Sequence, residues 1–385
     1  MGTSSPALAK DAALARMKLL MAGPFPLDPG RPVGGVESAM SSLVLGLSQI
    51  PDIELEIIAN TTSPRTGTEE HPFGLVTYLH VGPGINGWAR ELQGRMVREI
   101  RRRDADVVHI QAHASVAVRV PGSILTVHGI AERAAWNSTR GFQRASKSAV
   151  AFALQGIPRL RASRVISISE FTTRQIGGRG RQIWRIPNAI DPVFFSPDVE
   201  SPHRSLKTFL YGGSIIPIKN VAGLIRAFAW VAKEDREAQL LLAGDGADSG
   251  YGLACRELVA TLGLHSSVSF LGPQSTPQMR RLLGSAGTLV LFSDHENAPM
   301  IVAEALAMGT AVVATRVGAV EEMLQGLPGC ALVHRRDENG LWEQIISRLQ
   351  SVTEGDIGQL RKAAVRYSPE SVAQATYQAY LDTLN

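Results

Sequence analysis

Cysteine is nearly missing from this sequence, whose 385 residues include only Cys255 and Cys330. Neither belongs to a CxxC pair, which excludes a disulfide framework and a thiolate zinc site. No uninterrupted apolar run reaches the roughly 18 residues of a membrane-spanning helix. The composition, 44% hydrophobic and 19% charged, is that of a globular chain rather than a disordered one. We therefore expect a protein of the reducing cytoplasm.

The amino-terminal segment lacks the features of a targeting signal. Residues 1–16 contain neither the apolar stretch nor the small-residue cleavage site that a secretory signal requires. Pro6 stands where a myristoylation motif has Ser or Thr. We expect this segment to be a flexible extension.

Acidic residues are missing from one long stretch of the first half, since no Asp or Glu lies between Glu132 and Glu170. Residues 1–200 carry 23 Lys and Arg against 17 acidic residues, whereas residues 201–385 carry 16 against 18. The basic residues in and around the stretch include Arg101, Arg102, Arg103, Arg140, Arg144, Lys147, Arg159, Arg161 and Arg164. Such a cluster attracts anionic lipid, an anionic acceptor or nucleic acid by the same Coulomb force. No nucleic-acid motif accompanies it, so we expect no nucleic-acid partner; a membrane surface, an anionic acceptor and a merely solvated face remain open.

Short apolar strands alternate with amphipathic helices in both halves of the chain. The strands of the first half are KLLMAG, ELEIIA, DVVHIQ, ILTVHG and RVISIS, and those of the second are KTFLYGG, QLLLAGDG, SVSFLG, TLVLFS and AVVATR. This pattern predicts an α/β fold with two doubly wound, mostly parallel sheets. The proline-rich segment 186–203 has no periodicity and is the predicted linker. The predicted units are the extension 1–16, a first domain 17–195, a second domain 196–367 and a carboxyl-terminal helix 368–385.

The loop after TLVLF carries the densest run of polar residues. Ligands of parallel sheets bind beyond the carboxyl ends of the strands, which makes this loop a candidate site. Pro299 suits the first turn of the helix that follows, because a proline there loses no hydrogen bond. The amides of Ala298, Met300 and Ile301 would then point out of the positive helix end, an arrangement that favours phosphate.

Two carboxylates accompany this helix start. Glu296 lies in the loop, and Glu304 lies eight residues later, which predicts a position about two turns into the helix. A carboxylate beside phosphate is repelled unless it accepts hydrogen bonds, so the pair predicts a ligand with hydroxyls next to its phosphates, as in nucleotide sugars. Asp294 or Asn297 is the expected helix cap. For Glu304 alone, an ordinary surface glutamate is the alternative.

Glycine-rich turns precede helices at two further places. Gly213 and Ser214 follow the strand KTFLYG, and Lys219 supplies a nearby charge suited to phosphate. Gly34 and Gly35 precede a helix of the first half and offer another contact for a diphosphate. A tight turn with a surface lysine is the alternative interpretation of the first turn.

These segments occur in the order and spacing of a known family. They resemble the retaining glycosyltransferases of family 4, which have the GT-B fold, at GGVE (34–37), TVHG (126–129), PNAID (187–191), GGSIIPIKN (212–220), LLAGDG (241–246) and 293–322. The most specific element is the E-x7-E signature of Glu296 and Glu304. The resemblance covers residues 17–385.

The resemblance implies roles for individual residues. The first domain would bind the acceptor, and the second would bind a nucleoside diphosphate sugar. Lys219 would neutralise the diphosphate, Glu304 would bind the ribose hydroxyls, and Glu296 would bind the donor-sugar hydroxyls. His128 would contact the sugar near the reacting carbon, although a lone histidine there is often structural. Gly35 would approach from across the cleft.

The resemblance also implies a mechanism and a hinge. The acceptor would attack from the face that the diphosphate leaves, so the configuration is retained without a carboxylate nucleophile, a cofactor or a metal. The carboxyl-terminal helix 368–385 would cross back onto the first domain. Cleft closure would be hinged at 187–203 and at the start of this helix.

Three positions depart from the family pattern. Ser214 stands where many members have arginine, which removes one charge from the phosphate site. Asn297 and Ala298 replace the usual glycine and bulky residue, which puts donor-sugar specificity in doubt. Two alternatives therefore stay open: a catalytically silent nucleotide-sugar-binding scaffold and a sugar-nucleotide epimerase with the same fold.

Two other motifs are interpreted as structural. Asp104 and Asp106 form a DAD string that is similar to the metal-binding DxD of other sugar transferases, but they lie where a helix leads into a strand. His109 and His113 lie on or just after that strand. The acceptor would be bound by loops including 60–92 and 130–160, and its identity and the donor base stay undefined. We expect a cytoplasmic protein, peripheral at the inner membrane face if the basic stretch binds lipid.

Overall fold

A computed structural model describes residues 16–28, 32, 34–61, 66–80, 92–130, 142–178, 180–196, 204–348 and 354–384. It confirms the predicted α/β class, because the chain forms one eight-stranded and one six-stranded sheet with helices packed on them. Among the described helices, none is both long and apolar enough to cross a bilayer. The predicted extension 1–16 lies outside the described residues except for Arg16.

The first sheet has the strand order β3-β4-β2-β1-β5-β6-β7-β8. Its strands are β1 Met17–Pro24, β2 Ile53–Thr61, β3 Gly67–His71, β4 Gly74–His80, β5 Val107–Gln111, β6 Ile124–Val127, β7 Arg164–Ser167 and β8 Gln182–Arg185. All neighbours are parallel except β3 and β4. The described helices of this half are Gly35–Leu47, Leu92–Arg101, Ala114–Ala117, Phe142–Ala151, Ile157–Arg161 and Glu170–Ile176, with a π-helical turn at Phe152–Gly156.

The two expected acceptor loops contain regular structure. Segment 60–92 includes the hairpin of β3 and β4, and segment 130–160 includes helix Phe142–Ala151 and the start of helix Ile157–Arg161. The β3 strand, GTEEH, is polar and lies at the edge of the sheet, so it has no apolar alternation that would identify it. The prediction of loops at these places was wrong.

The second sheet is parallel throughout, with the order β11-β10-β9-β12-β13-β14. Its strands are β9 Ser205–Gly212, β10 Gln239–Ala243, β11 Val268–Gly272, β12 Ala286–Leu291, β13 Ala311–Thr315 and β14 Ala331–Val333. The helices of this half are Val221–Glu234, Gly250–Thr261, Thr276–Ser285, Met300–Ala307, Val320–Leu324, Glu338–Arg348 and Glu354–Ala364. Strands β9 and β12 are neighbours, which brings the loops after them together.

The final helix, Pro369–Leu384, packs on the first domain. Its residues Val372, Ala373 and Tyr380 belong to the hydrophobic core beneath the first sheet. The helix lies so close to helix Gly35–Leu47 that a β-carbon on Gly46 would overlap the backbone of Pro369. The carboxyl terminus of the chain therefore stabilises the first domain rather than the second.

The connection between the domains is short and ordered where the structure describes it. Ala189 packs in the core of the first domain, whereas Ile190 and Phe194 pack in the core of the second. The turn Pro192–Phe195 is a 3₁₀ helix that Asp191 caps through the amide of Val193. The remainder of the predicted linker, 197–203, lies outside the described residues.

Candidate functional site

The helix expected to bind phosphate begins at Met300 and ends at Ala307. Pro299 is its amino-terminal cap residue rather than part of its first turn, so Glu304 lies about one turn into the helix instead of two. Neither expected cap forms. Asp294 instead pairs with Arg336, at 2.8 Å between Oδ2 and Nη2. No side chain caps this helix, and within its first turn the amide of Val302 donates to the carbonyl of Pro299 at 3.1 Å.

Lys219 and Glu296 form an ion pair at this helix end. Nζ of Lys219 lies 2.7 Å from both carboxylate oxygens of Glu296, and the Glu296 side chain is 7% exposed. The hydroxyl of Ser293 also donates to Oε1 at 2.7 Å. The two residues predicted to serve phosphate and sugar are thus each other's partners.

Lys219 and Glu296 come into contact because strands β9 and β12 are neighbours. The loop after β9 carries Lys219 at the end of a 3₁₀ turn, and the loop after β12 carries Glu296. The amide of Asp294 donates to the carbonyl of Ile218 at 2.8 Å, which fixes one loop on the other. Gly213 begins the loop after β9 and has φ 148°. The carbonyl of Ser214, the next residue, accepts from the Tyr211 hydroxyl at 2.8 Å.

Gly318 packs against the backbone of the loop that carries Glu296. Its φ is +61°, and a β-carbon there would overlap the carbonyl oxygen of Glu296. Next to it, the amide of Ala319 donates to the carbonyl of Asn297 at 2.7 Å. The loop that carries the first carboxylate is therefore positioned by backbone packing that needs a glycine.

Replacing Gly318 with Ala is expected to displace this loop. Gly263→Ala is the matched control, because Gly263 has φ +67° and open space around it. The control should lose roughly 1–2 kcal/mol of unfolding free energy to backbone strain alone, and Gly318→Ala should lose more and also bind nucleotide more weakly. Urea unfolding and calorimetry measure both quantities, and equal losses in the two variants would contradict the packing argument.

Glu304 is a half-buried carboxyl group at the other end of the site. Burial, and after it the negative charge of Asp191, raises the pKa of Glu304 to about 8. The group therefore holds a proton at neutral pH unless hydrogen-bond donors stabilise its charged form. Asp191 belongs to the connection between the domains.

His128 lies just beyond β6 at the end of a buried polar network. Its Nε2 is 2.6 Å from Oε1 of Gln111, whose amide nitrogen is 3.2 Å from Nε2 of His109. The other ring nitrogen of His109 is 2.7 Å from the hydroxyl of Tyr380, on the final helix. Since a carboxamide oxygen accepts, Nε2 of His128 carries the proton and Nδ1 is the acceptor. Burial lowers the pKa of His128 to about 4, so the ring is neutral at physiological pH.

The two domains contact each other across the site. Asn297 lies so close to Gly129 that a β-carbon on the glycine would overlap its side-chain amide. A β-carbon on Gly35 would be 3.8 Å from the sulfur of Met300. A cavity of about 300 Å³ lies between the domains, lined by residues that include Ala298 and Asn188. The cleft is therefore narrow here, and Gly35 lies across it from the start of helix Met300–Ala307.

The remaining predicted residues have structural partners. Asp104 binds Nζ of Lys18 at 2.7 Å, and Asp106 accepts from the amide of Lys18 at 2.8 Å. The His113 ring lies 2.9 Å from the side-chain oxygen of Asn60. These contacts explain the DAD string and the histidine after it as structural residues at the ends of the interior strands β1, β2 and β5.

The basic stretch is less uniform than the sequence indicates. Arg103 pairs with Glu56 and Glu99, at 2.8 and 2.6 Å. Arg159 is 5% exposed and is not a surface residue. Arg140 lies outside the described residues. The basic stretch therefore exposes fewer cations than its sequence indicates.

The sequence patterns did not identify several residues of the site. Gln111 follows His109 by two residues on one strand face, a spacing that could have indicated the buried network. Asp191 lies within the recognised PNAID motif, but no role was predicted for it. Ser293 gave no separate signal, because its hydrogen bond to Glu296 forms only in the folded loop.

Comparison with known proteins identifies relatives of both domains. The family model "Glycosyltransferase Family 4" matches residues 33–194, and the model "Glycosyl transferases group 1" matches residues 206–351. N-acetyl-alpha-D-glucosaminyl L-malate synthase of Bacillus anthracis is 28% identical over 46% of this chain and 47% of its own length. The chain thus spans about half the length of the curated relatives it matches.

Solved structures match over nearly the whole chain. Sucrose-phosphate synthase of Thermosynechococcus elongatus superposes with a TM-score of 0.72 at 20% identity, covering 95% of this chain and 97% of that one. HepE of Anabaena, in complex with UDP and glucose, gives 0.69 at 18% identity, covering 94% and 99%. At these identities the likeness establishes the fold, which is the two-domain GT-B architecture.

Proposed function

Because this chain belongs to the group 1 glycosyltransferases of family 4, we propose that it transfers a glycosyl group from a nucleoside diphosphate sugar to an acceptor hydroxyl. The proposal includes retention of the anomeric configuration. It further includes a donor site in the second domain and an acceptor site in the first.

The observation that carries the proposal is the assembly at the start of helix Met300–Ala307. One cation, Lys219, and the first-turn amides provide charge for a diphosphate, whereas Glu296 and Glu304 offer acceptors for hydroxyls on either side of it. This order of charges matches a nucleotide sugar, in which ribose, diphosphate and sugar follow one another. HepE of Anabaena binds UDP, which makes UDP the first nucleotide to test here.

The proposed step moves one proton and exchanges one bond. The bond between the anomeric carbon and the diphosphate oxygen breaks, and the bond to the acceptor oxygen forms on the same face. The acceptor's proton passes to the departing diphosphate. Lys219 and the helix amides stabilise the negative charge that develops there, and this is the main contribution to catalysis.

The carboxylates orient the donor rather than attack it. Glu296, once it shares Lys219 with the diphosphate, accepts hydrogen bonds from the donor sugar. His128, neutral and held by Gln111, contacts the sugar near the reacting carbon. We propose that the reaction needs neither a cofactor nor a metal, since the diphosphate charge is met by Lys219 and backbone amides.

Slow hydrolysis of the donor tests this proposal without knowledge of the acceptor. The enzyme is incubated with α-configured UDP-glucose and related donors in EDTA, and NMR follows the anomer first released. We expect the α-anomer, and no hydrolysis in Glu296→Ala. Initial release of the β-anomer would overturn retention, and binding without turnover of any donor, with or without an acceptor panel, would favour a silent scaffold.

We further propose that the first domain binds an anionic membrane surface through the segment from helix Phe142–Ala151 to helix Ile157–Arg161. Four of its apolar side chains, Val150, Phe152, Ile157 and Leu160, are 40–47% exposed. Lys147 and Arg161 are exposed beside them. Exposed apolar residues next to cations are typical of a surface that inserts shallowly between anionic lipids.

Vesicle co-sedimentation at low salt is expected to show this binding. The protein should sediment with vesicles that contain phosphatidylglycerol, less so at high salt and less so with phosphatidylcholine alone. Phe152→Ser/Leu160→Ser should reduce it several-fold, whereas Leu253→Ser, equally apolar and 54% exposed in the second domain, should not. Absence of wild-type binding at low salt would refute the membrane proposal.

A further inference from the structure

A buried hydrogen-bond network joins the final helix to His128 across the first sheet. It has three contacts: Tyr380 to His109 at 2.7 Å, His109 to Gln111 at 3.2 Å and Gln111 to His128 at 2.6 Å. Tyr380 and His109 are fully buried, and Gln111 is 1% exposed. Because these groups are removed from solvent, the hydrogen bonds of each one depend on its neighbours. A change of donor or acceptor at one end of the network therefore alters the hydrogen bonds at the other end.

The backbone around Gln111 is strained in a way that holds this side chain in the network. Ala112, the next residue, has φ +63°, and the amide of His113 donates to the carbonyl of Gln111 at 2.8 Å. These features define a γ-turn with positive φ, which is rare and strained. On β1, a β-carbon on Gly23 would overlap the β-carbon of Gln111. Strain at a non-glycine residue is typical of functional positions, and here it places Gln111 between the two histidines.

The proton positions in the network follow from its donors and acceptors. The carboxamide oxygen of Gln111 faces His128, so its NH₂ group faces His109 and requires an acceptor there. Nε2 of His109 is that acceptor, and it also accepts from the hydroxyl of Thr126 at 2.6 Å. Burial lowers the pKa of His109 to about 3, so the neutral ring carries its one proton on Nδ1. Nδ1 donates this proton to the hydroxyl oxygen of Tyr380, which therefore fixes the tautomer of His109.

The same arrangement leaves Nδ1 of His128 as an acceptor at the cleft. His128 and Asn297 of the second domain line one cavity of about 260 Å³. Nδ1 is buried and has no hydrogen-bond partner among the described residues. Burial lowers the pKa of the ring, and Asn188, on the connection between the domains, raises it in part. A buried acceptor without a partner costs free energy, which a hydroxyl that donates to it recovers. A ligand hydroxyl would therefore complete the network at Nδ1.

We propose that Tyr380 is a positioning residue of the transfer, and that its hydroxyl, acting through His109 and Gln111, keeps the lone pair of His128 Nδ1 available to the donor sugar. The inference rests on the proposed function. A lone pair beside the reacting carbon stabilises the positive charge that develops on the sugar as the diphosphate leaves, whereas an N–H group there opposes it. A side chain of the final helix thus controls the hydrogen bonding of a residue in the cleft.

Nitrogen NMR of the imidazole rings at neutral pH tests this inference without a donor. In wild-type protein His128 should be protonated at Nε2, and the spectrum of His128→Gln identifies its signals. In Tyr380→Phe, Nδ1 of His109 loses its acceptor, so the proton of that ring should move to Nε2. The Gln111 amide should then reverse and donate to His128, whose proton should move to Nδ1. The signals of the protonated and unprotonated nitrogens of His128 should therefore exchange.

Two further variants separate this effect from a loss of packing. Tyr377→Phe is the matched control on the same helix, because the Tyr377 hydroxyl contacts Asp52 instead, and it should keep the wild-type signals. Adding Gln111→Glu to Tyr380→Phe should return the His128 proton to Nε2, because a carboxylate accepts from both histidines. If Tyr380→Phe does not fold, Gln111→Met interrupts the network, and His128 should then show a mixture of both tautomers.

Donor hydrolysis links the tautomer to the reaction. Tyr380→Phe should lower kcat about tenfold, with KM within twofold of the wild type, because the lost interaction acts in the transition state. Unchanged nitrogen signals of His128 in Tyr380→Phe would overturn the inference, and so would exchanged signals with unchanged kcat. If the wild type turns over no donor, the proposed function fails, whereas turnover that does not respond to Tyr380→Phe contradicts this inference alone.

Discussion

Replacing Lys219 with Met is expected to lower kcat/KM for the donor about 10³-fold, because the variant loses the side-chain cation that stabilises the departing diphosphate. This decrease in kcat/KM is larger than the decrease expected from removing one hydrogen bond. In the wild type, Lys219 neutralises Glu296 at 2.7 Å, so its removal leaves a buried carboxylate that repels the diphosphate. Lys233→Met is the control, since Lys233 lies on the following helix against Trp230, far from this pair.

A double variant separates the two causes. Lys219→Met/Glu296→Gln removes both charges, so nucleotide affinity should recover about tenfold relative to Lys219→Met, whereas transfer should stay low. Steady-state kinetics and calorimetry measure the two effects. Activity of Lys219→Met within threefold of the wild type would contradict the role of this residue.

Nucleotide affinity should rise with pH between about 6 and 8, by up to about tenfold per pH unit, because Glu304 must lose a proton to bind the ribose. In the free protein the pKa of Glu304 is raised to about 8, and hydroxyl donors in the complex lower it. Binding therefore releases a proton. Glu304→Gln should bind more weakly at pH 8 and show no such slope.

The raised pKa of Glu304 also predicts the direction in which the free energy of unfolding changes with pH. An unfolded glutamate ionises above about pH 4.5, whereas the folded group stays protonated up to about pH 8. Folding thus takes up a proton in this window, and stability falls as the pH rises through it. The difference in unfolding free energy between wild type and Glu304→Gln isolates this effect from that of the histidines. A difference that does not change between pH 5 and 8 would contradict the raised pKa.

Short stretches of sequence predicted those strands whose burial shows in their own residues. Buried strands such as Leu19–Ala22 and Val312–Ala314 are apolar on both faces, and each was recognised. The polar edge strand β3 was not, since it buries too little to show a pattern. Gly213 was found because it follows directly on the end of β9, and the two carboxylates were found because they lie in the loop after β12 and in the helix that follows it.

Contacts between distant segments could not be predicted in this way. The pairing of Lys219 with Glu296 depends on β9 and β12 being neighbours, which only the sheet order reveals. The hydrogen bond between His109 and Tyr380 joins residues 271 positions apart. Arg159 resembles every other arginine of its segment until the fold turns it inward.

The most direct test of a nucleotide-sugar site is calorimetric titration of UDP, GDP, ADP, CDP and dTDP, with EDTA present, into the wild type and Glu304→Ala. We expect metal-free binding of one base in preference to the others, weakened at least tenfold in the variant through the loss of charged hydrogen bonds to the ribose. Failure of every nucleotide to bind, or equal affinity in the variant, would contradict a nucleotide-sugar site that includes Glu304.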